Sequence, residues 1–429
     1  MPPAPLNDTL EEPPIFIVTQ NVFLVSLINM YTNNVFLYII ELKGGFIFMD
    51  KSMIGANLRR IREAQGLSQS EVADRSGISR LAYRNIEAGT STPKVSTLQN
   101  IVAGMGVKLQ DLFVPVRTLK NVRFRALKKM NSRDNILCVV TRWLDDFNQL
   151  EGLLKQKEPY CLSNLPDQLS KRKGLSKAKK AAELARLELK LGEKEPIRDI
   201  SGLLESCGIK VYPLTLVSDG FFGLSVSEKD GGPAVVVNVW DRISVERWIF
   251  SAAHELGHLL LHTSAYDVDK TAEDSVEEKE ANFFASYFLM PEKAFESEWS
   301  DTNGLFFLDR VYKVKHIFQV SYKTVLYRLA EKYGSSVWGK FQAAHKLRHR
   351  KTLKFTDEPE ALLPEEFGHV PEILRAHEPD SLSPSSFMED RLSKLVREAI
   401  EKDKITLSRG AELLRLDLES MRQRIALWD

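Results

Sequence analysis

The apolar positions between residues 54 and 113 recur with the period of short helices, and glycines separate these helices. Ser68, followed three residues later by Glu71, predicts the capped start of one helix. A tight turn at Gly77 and a second cap at Ser79 predict the start of the next helix. Two short helices joined by a glycine turn form a helix-turn-helix, so this region is predicted to be all-α.

Beyond this region, helical periods alternate with short β-branched runs. Residues 117–180 have a helical and basic pattern, whereas Ile209–Pro213 and Ala234–Val239 predict strands. Long helices are predicted at 244–262 and 273–290, and amphipathic helices close the chain. The pattern therefore predicts a mainly α protein with a small β-sheet, in the α+β class.

The first fifty residues have a different character. Positions 13–40 carry no charge and are long enough for a membrane span, but several of their side chains are polar and costly in lipid: Gln20, Asn21, Ser26, Asn29, Asn33 and Asn34. No basic residue precedes them and no small-residue cleavage site follows, which argues against a signal peptide. Because Met49 and Met53 directly precede the well-patterned region, we interpret 1–52 as an upstream start that overshoots the natural one. A membrane segment and a packed extension are the alternatives.

Composition and charge narrow the class of protein. The chain has 429 residues, of which 43% are hydrophobic and 27% charged, as in an ordinary globular protein of two or three domains. Net charge is +1, yet residues 53–116 carry eight Lys/Arg against five Asp/Glu, and residues 117–180 carry sixteen against six. A basic front predicts an anionic partner, with nucleic acid first. Three cysteines without a C-x-x-C pair make a disulfide or thiolate zinc site unexpected and favour a reducing cytoplasm.

The strongest chemical signal is the pentapeptide from His254 to His258, HELGH. Residues four apart on a helix project from one face, so these two imidazoles can bind one Zn²⁺. Glu255 would lie beside the metal, where it can take a proton from water as a general base. The flanking positions are nearly all apolar, which predicts a buried helix. Burying such polar groups without a metal would be costly.

A hydrolytic zinc site needs a third protein ligand and an open fourth position. Glu280 lies 22 residues after His258, in a second apolar helix with an acidic start, and is the leading candidate. Glu277, one turn earlier, and His262, four residues after His258, are the alternatives. The residues alone leave this choice open.

Together these motifs resemble those of the ImmA/IrrE-type zinc peptidases. The resemblance covers about residues 183–335 and includes HELGHLLLH, EEKEANFFASYFLMP, GIKVY, DGFFGLSV, VVVN and VSYKTVLYRL. It implies a gluzincin-like peptidase domain with His254 and His258 as ligands, Glu255 as catalytic base and Glu280 as third ligand.

The resemblance also carries two expectations about the substrate. Peptidases of this type cleave or control a helix-turn-helix repressor. In zinc peptidases of this architecture, a strand edge near the site holds the substrate backbone by β-addition. The strand at 234–239 is our candidate for that edge, and an ordinary core strand is the alternative.

Residues 58–113 resemble an XRE/Cro-type domain through the pattern LSQxxxAxxxGxSRxxxxxIE. The second helix of this motif enters a major groove, so Arg80 is placed for a base edge. Tyr83 stands where a smaller aliphatic residue is usual, which predicts altered packing of this helix. The predicted DNA-binding residues are Gln69, Ser79, Arg80, Arg84 and Lys94.

The predicted organisation has five segments: an uncertain extension (1–52), a helix-turn-helix domain (53–116), a basic helical connector (117–182), a peptidase domain (183–345) and a helical C-terminal region (346–429). The predicted function is a DNA-binding transcriptional regulator whose zinc endopeptidase domain cleaves a protein partner such as a repressor. A regulator or antitoxin-like protein whose peptidase fold senses without cleaving is the alternative. Double-stranded DNA, a protein substrate and a second copy are the expected partners, and a membrane is not.

Overall fold

The computed structural model describes residues 16–18, 23–29, 36–42, 45–49, 51–65, 67–107, 109–112, 119–126, 133–218, 220–266, 274–354, 357–361, 391–426 and 428. The chain forms two compact units. The first comprises Met1–Thr118 with Ser132–Cys138, and the second comprises Leu119–Asn131 with Val139–Asp429. Among the described helices, none combines the length and the apolar composition needed to cross a bilayer.

Among its described residues, the first unit contains a sheet, four α-helices and a short 3-10 helix at Leu109–Leu112. The strands are β1 Phe16–Val18, β2 Phe23–Asn29, β3 Phe36–Leu42 and β4 Gly45–Met49. They pair antiparallel in sequence order. The helices are α1 Lys51–Ala64, α2 Gln69–Arg75, α3 Arg80–Glu87 and α4 Val95–Met105. The described residues do not test our interpretation of residues 1–52 as an upstream start, because the side chains of this segment lie outside them.

Local capping explains where α2 and α3 begin. The Ser68 hydroxyl accepts from the Glu71 amide, while the Glu71 carboxylate accepts from the Ser68 amide, so the predicted capping box is confirmed. Gly77 has φ of 65°, in the left-handed region that glycine tolerates best, and it forms the predicted turn. Ser79 then caps α3 by accepting from the Ala82 amide at 3.1 Å. These contacts fix the helix-turn-helix.

The second unit holds the remaining elements, apart from the first residues of α5. Its strands are β5 Val122–Ala126, β6 Lys210–Leu214, β7 Phe221–Val226 and β8 Ala234–Asn238. Its helices are α5 Arg133–Leu154, α6 Leu165–Gln168, α7 Gly174–Glu188, α8 Ile200–Ser206, α9 Val245–Leu261, α10 Ser275–Leu289, α11 Glu292–Asp301, α12 Phe307–Phe318, α13 Tyr322–Tyr333, α14 Ser336–His349, α15 Arg391–Glu401, α16 Leu407–Leu414 and α17 Leu418–Ile425. The predicted fold class, mainly α with a small sheet, is confirmed.

The sheet of the second unit runs in the order β5-β7-β8-β6. β8 is parallel to β6 and antiparallel to β7, and β5 is antiparallel to β7. Two predictions are corrected here. The stretch 117–180 was expected to be helical, but it supplies the edge strand β5. Ala234–Val239 was our candidate for the substrate edge, but all five residues of β8 are buried and both neighbours are paired, because its apolar run is a core run.

Close packing brings the helices α9 and α10 together. A Cβ built on Gly257 of α9 would lie 2.9 Å from a ring carbon of Phe284 on α10, so only glycine permits this approach. The prediction against a disulfide is wrong: Cys161 and Cys207 are bonded, with their Cα atoms 5.1 Å apart. The two cysteines lie 46 residues apart in the sequence. This spacing alone does not reveal that folding brings them together.

Candidate metal centre and nucleic-acid interface

Helix α9 presents His254 and His258 from one fully buried face, as the four-residue spacing predicts. Their Nε2 atoms lie 2.9 Å apart. Glu278 on α10 completes the group, with its carboxylate oxygens 3.2 Å from Nε2 of His254 and 3.1 Å from Nε2 of His258. All three side chains offer ligand atoms within 4.8 Å of one another. Two nitrogens and a carboxylate oxygen therefore converge on one point.

The structure corrects the third position of this cluster. Glu280, the predicted third ligand, lies outside it and pairs instead with His262, at 3.0 Å between Oε2 and Nε2. Residues two apart on a helix point about 200° apart, so only one of Glu278 and Glu280 can face the imidazole pair. Of the alternatives, the Glu277 carboxylate pairs with Arg123. None of these three side chains joins the group.

Each imidazole is also held through its second nitrogen. Asn282, one turn after Glu278, accepts from Nδ1 of His254 at 2.9 Å. Nδ1 of His258 lies 2.9 Å from Nδ1 of His262, whose other nitrogen meets Glu280. Partners of this kind fix the ring orientation and tautomer of metal-binding histidines. Glu280 and His262 thus form a second layer behind His258.

The electrostatics suit a cation. Burial, with help from the neighbouring His254, holds the pKa of His258 well below its usual value, which leaves the neutral imidazole that metals bind. Burial raises the pKa of Glu278, but hydrogen bonds from the two imidazoles outweigh it and hold that pKa far below its ordinary range. Two ring nitrogens 2.9 Å apart, both facing one carboxylate, offer a single point at which a cation can bind. The donor set fits a divalent transition metal.

Glu255 is fully buried beside the cluster, and β7 fixes its carboxylate. Its Oε2 accepts from the Ser225 hydroxyl at 2.8 Å, and that hydroxyl accepts from Tyr266 at 2.9 Å. Burial raises the pKa of Tyr266 well above its usual value, so the phenol stays a donor. A Cβ built on Gly223 would lie 2.8 Å from the Val236 carbonyl and 3.3 Å from Glu255 Oε1. β7 therefore runs directly against the candidate base.

Arg123 is a site residue that the sequence did not reveal. It extends from β5, is nearly buried, and donates to Glu277 and, at 3.3 Å, to Glu278 Oε1. Sequence reasoning also missed Glu278, Ser225 and Tyr266. The four-residue interval between Glu278 and Asn282 was the available signal for the third position, since those two share a helix face.

In the first unit, the predicted DNA-binding residues have different surroundings. Arg80, Arg84 and Lys94 are exposed, and Ser79 is exposed while it caps α3. Gln69 is half-buried, and its amide donates to Glu87 at 3.0 Å. Glu87 is in turn held by two hydrogen bonds from Arg62, at 2.7 and 2.9 Å. The helix-turn-helix therefore offers a cationic face around α3 and fixes Gln69 beside it.

Tyr83 is fully buried in the core of this unit. The side chain from which we predicted altered packing thus lies inside the domain, beneath the exposed face of α3. Burial and the nearby Glu87 raise the pKa of its phenol above the usual range. The exposed neighbours of Tyr83 on α3 include Leu81 and Arg84.

Comparison with known proteins identifies both parts. The helix-turn-helix family matches residues 58–112, and the IrrE N-terminal-like domain, a metal-dependent peptidase family, matches residues 205–330. An uncharacterized HTH-type transcriptional regulator, y4dJ of Sinorhizobium fredii, is 35% identical over 65 residues, covering 15% of this chain and 84% of that protein. YqaE of Bacillus subtilis, also an uncharacterized HTH-type regulator, is 33% identical over 85 residues, covering 20% of this chain and 73% of its own length.

Among solved structures, the restriction-modification controller protein C.AhdI from Aeromonas hydrophila is 27% identical, with a TM-score of 0.15, covering 15% of this chain and 96% of that one. The relatives, the family matches and the capped helix-turn-helix agree on the first unit. The HELGH helix and its glutamate partner agree with the match to the second. This chain belongs to the XRE-type helix-turn-helix transcriptional regulators, which bind double-stranded DNA, and it carries an ImmA/IrrE-like peptidase domain in the same polypeptide.

Proposed function

We propose that this regulator is a zinc endopeptidase that hydrolyses a peptide bond in a protein partner, such as a helix-turn-helix repressor. The observation that carries the proposal is the group of the buried His254 and His258 with the half-buried Glu278, together with Glu255 on the same helix as the two histidines. Nitrogen and carboxylate donors of this kind suit zinc. A structural zinc site would close all four positions with protein ligands, whereas three ligands leave room for substrate.

The reaction divides between the ion and the chain. When bound, zinc supplies Lewis-acid chemistry, which polarises a peptide carbonyl and makes water more acidic. Glu255 takes the proton of the attacking water and returns it to the leaving nitrogen. Ser225 donates to one oxygen of this carboxylate and so holds it in place. His262 and Asn282 orient the two imidazoles.

On DNA, we propose that Arg80 reads a base edge in the major groove from the start of α3. Ser79, Arg84, Gln69 and Lys94 contact the phosphate backbone or the rim of the groove. The protein acts as a dimer, as readers of this type usually do. We propose a cytoplasmic location because the protein must reach DNA. The separate argument from cysteine usage no longer applies, since two of the cysteines form a disulfide.

We propose that the domain boundaries follow four of the predicted segments: 53–116, 117–182, 183–345 and 346–429. The compact units support a division at 118/119, close to the end of the first of these segments. The strand β5 lies within the proposed connector and joins the sheet of the second unit. The connector is therefore a structural part of the peptidase side rather than a free linker.

A search across all cellular proteins can identify the substrate. Cells that express the wild-type chain are compared with cells that express Glu255→Gln, and new protein N termini are labelled and sequenced. We expect at least one terminus that appears only with the wild type. Gln keeps the size of the side chain but cannot act as a base, so the buried packing around position 255 is maintained.

The same pair of cell lines reports on regulation. If no new terminus appears and Glu255→Gln leaves the regulated transcripts unchanged, the peptidase proposal fails. The chain would then act as a sensor or an antitoxin-like regulator without cleavage. A terminus found in both lines comes from another protease and is not assigned to this chain.

A further inference from the structure

The edge of β7 beside the candidate active site is occupied by the chain itself. β5 pairs with β7 antiparallel, in the register Val122 with Val226, Arg123 with Ser225, Phe124 with Leu224 and Arg125 with Gly223. The pairing shifts between Arg125 and Ala126, as at a β-bulge. An extended segment paired to a sheet edge is the way that peptides are bound by β-addition. β5 therefore lies where an added peptide strand would lie.

The register places specific peptide bonds of β5 opposite the candidate base. Ser225 donates to Glu255 Oε2, and Gly223 is the residue whose Cβ would come within 3.3 Å of Oε1. Their partners on β5 are Arg123 and Arg125. Paired strands lie about 4.8 Å apart. The two peptide bonds that flank Phe124 are thus one strand spacing from the segment of β7 that contacts Glu255.

A side chain of β5 also reaches the metal-binding group. Directly paired residues of neighbouring strands project from the same face of the sheet, so Arg123 and Ser225 both point toward α9 and α10. The Arg123 guanidinium donates to Glu277 and to the candidate ligand Glu278. These two contacts fix β5 in one register relative to β7. An edge strand without such contacts can slip along its neighbour.

We propose that β5 is a substrate of this peptidase in cis, cut at one of the two peptide bonds beside Phe124. This inference rests on the proposed peptidase function. One water is consumed: its oxygen forms a bond to the carbonyl carbon, the carbon–nitrogen bond breaks, and Glu255 carries the proton to the leaving nitrogen. The products are a new carboxylate and a new amine. Because β5 lies in the connection between the units, the cut severs the helix-turn-helix covalently from the catalytic centre.

The test uses the purified full chain, stripped with a chelator and then supplied with Zn²⁺, and follows its intact mass over time. The expected result is two fragments whose boundary is Arg123/Phe124 or Phe124/Arg125, formed with a first-order rate constant that does not depend on protein concentration. Glu255→Gln should remain intact. An uncut wild type, a boundary elsewhere, an observed rate constant that rises with protein concentration, or equal cutting of Glu255→Gln would each overturn the proposal.

Arg123→Ala tests the anchor. We expect cutting to slow at least tenfold while zinc content stays at the wild-type level. Arg348→Ala removes an exposed ion pair with Asp309 elsewhere in the same unit and is the matched control, with no expected change. An unchanged rate in Arg123→Ala would exclude the guanidinium as the anchor and so remove the register argument.

Hydrogen exchange gives a readout that does not depend on turnover. In the uncut Glu255→Gln chain, amides of residues 122–126 should be protected, and adding Arg123→Ala should speed their exchange at least tenfold. Exchange at the unstructured rate in the single variant would contradict the strand pairing. Zinc-dependent hydrolysis of β-casein by a chain that leaves its own β5 intact would overturn self-cleavage alone. If the chain binds no zinc and cuts neither β-casein nor its own β5, the peptidase proposal and the self-cleavage proposal both fail.

Discussion

The two units carry their functional side chains in opposite ways. In the first unit, Arg80, Arg84 and Lys94 lie exposed within fifteen residues of sequence, on and beside one short helix. In the second, His254 and Glu255 are fully buried and their partners come from other helices and from the sheet. Under the proposed function, the exposed set contacts a large anionic surface, whereas the buried set confines chemistry to one point. Exposed cations act through long-range charge, and a buried cluster acts through fixed geometry.

This difference teaches where each unit is sensitive. A surface arginine can be removed at the cost of its own contact, because water takes its place. A buried ligand cannot be removed without leaving neighbouring polar groups unsatisfied in a low-dielectric interior. Variants of the first unit should therefore change DNA affinity and little else. Variants of the second should change metal binding or chemistry while DNA affinity stays constant.

The largest expected effect is that of Glu255→Gln on hydrolysis. Loss of a general base lowers the rate by about 10²- to 10⁴-fold. The measurement is the cleavage rate of the purified partner found by the N-terminus comparison. Zinc content and DNA affinity should equal those of the wild type, since Glu255 belongs to neither set. A rate within a factor of two of the wild type would exclude Glu255 as the base.

Arg80→Ala should have the next largest effect, and on the other unit. A bidentate arginine contact to a base contributes about 1–3 kcal/mol of discrimination. The measurement is fluorescence anisotropy with a duplex that the wild-type chain selects from a random library, beside a scrambled duplex. Affinity for the selected duplex should fall and approach that for the scrambled one, with zinc content unchanged. Full retention of sequence preference would place base reading elsewhere on the domain.

His262→Ala addresses the layer behind the cluster. Removing an outer partner of a metal-binding histidine typically lowers metal affinity by about 10- to 100-fold. Zinc affinity is measured by competition with a chromophoric chelator. His349→Ala, an exposed histidine of the same unit, is the control and should bind zinc normally. Equal affinities for the two variants would show that the contact between His258 and His262 does not orient the ligand.

Lys94→Ala should give the smallest effect. A single phosphate contact weakens binding to all sequences alike and contributes about one unit to the slope of log affinity against log salt. Titrations at several salt concentrations, on the selected and scrambled duplexes, give both quantities. The preference for the selected duplex should not change. A change in that preference would give Lys94 a role in base reading.

The sequence predicted the helix-turn-helix of the first unit because its determinants are local, whereas it did not predict the sheet β1–β4. The capping box at Ser68 and Glu71, the turn at Gly77 and the cap at Ser79 each act over three or four residues. Such contacts depend only on neighbours in the chain. The placement of Gln69 was less clear from sequence, since its hydrogen bond to Glu87 spans 18 residues.

The second unit was predicted only in part. The spacing of His254 and His258 is local and placed both imidazoles on one face of α9. The third position depends on how α10 is rotated about its axis, and two glutamates two residues apart cannot be distinguished by distance along the chain. β5 could not be found at all, because its pairing with β7 joins residues about a hundred positions apart. Non-local pairing of this kind is absent from any short sequence window.

The proposed hydrolysis depends on a metal ion held by the buried histidine pair and Glu278 in a DNA-binding regulator. The most direct test is the zinc content of the full chain by elemental analysis, for the wild type, His258→Ala, Glu278→Gln and Glu280→Gln. We predict about one zinc per chain in the wild type and in Glu280→Gln, and a loss of zinc in His258→Ala and Glu278→Gln. Zinc that is retained in Glu278→Gln but lost in Glu280→Gln, or a wild type that binds none after supplementation, would contradict the account.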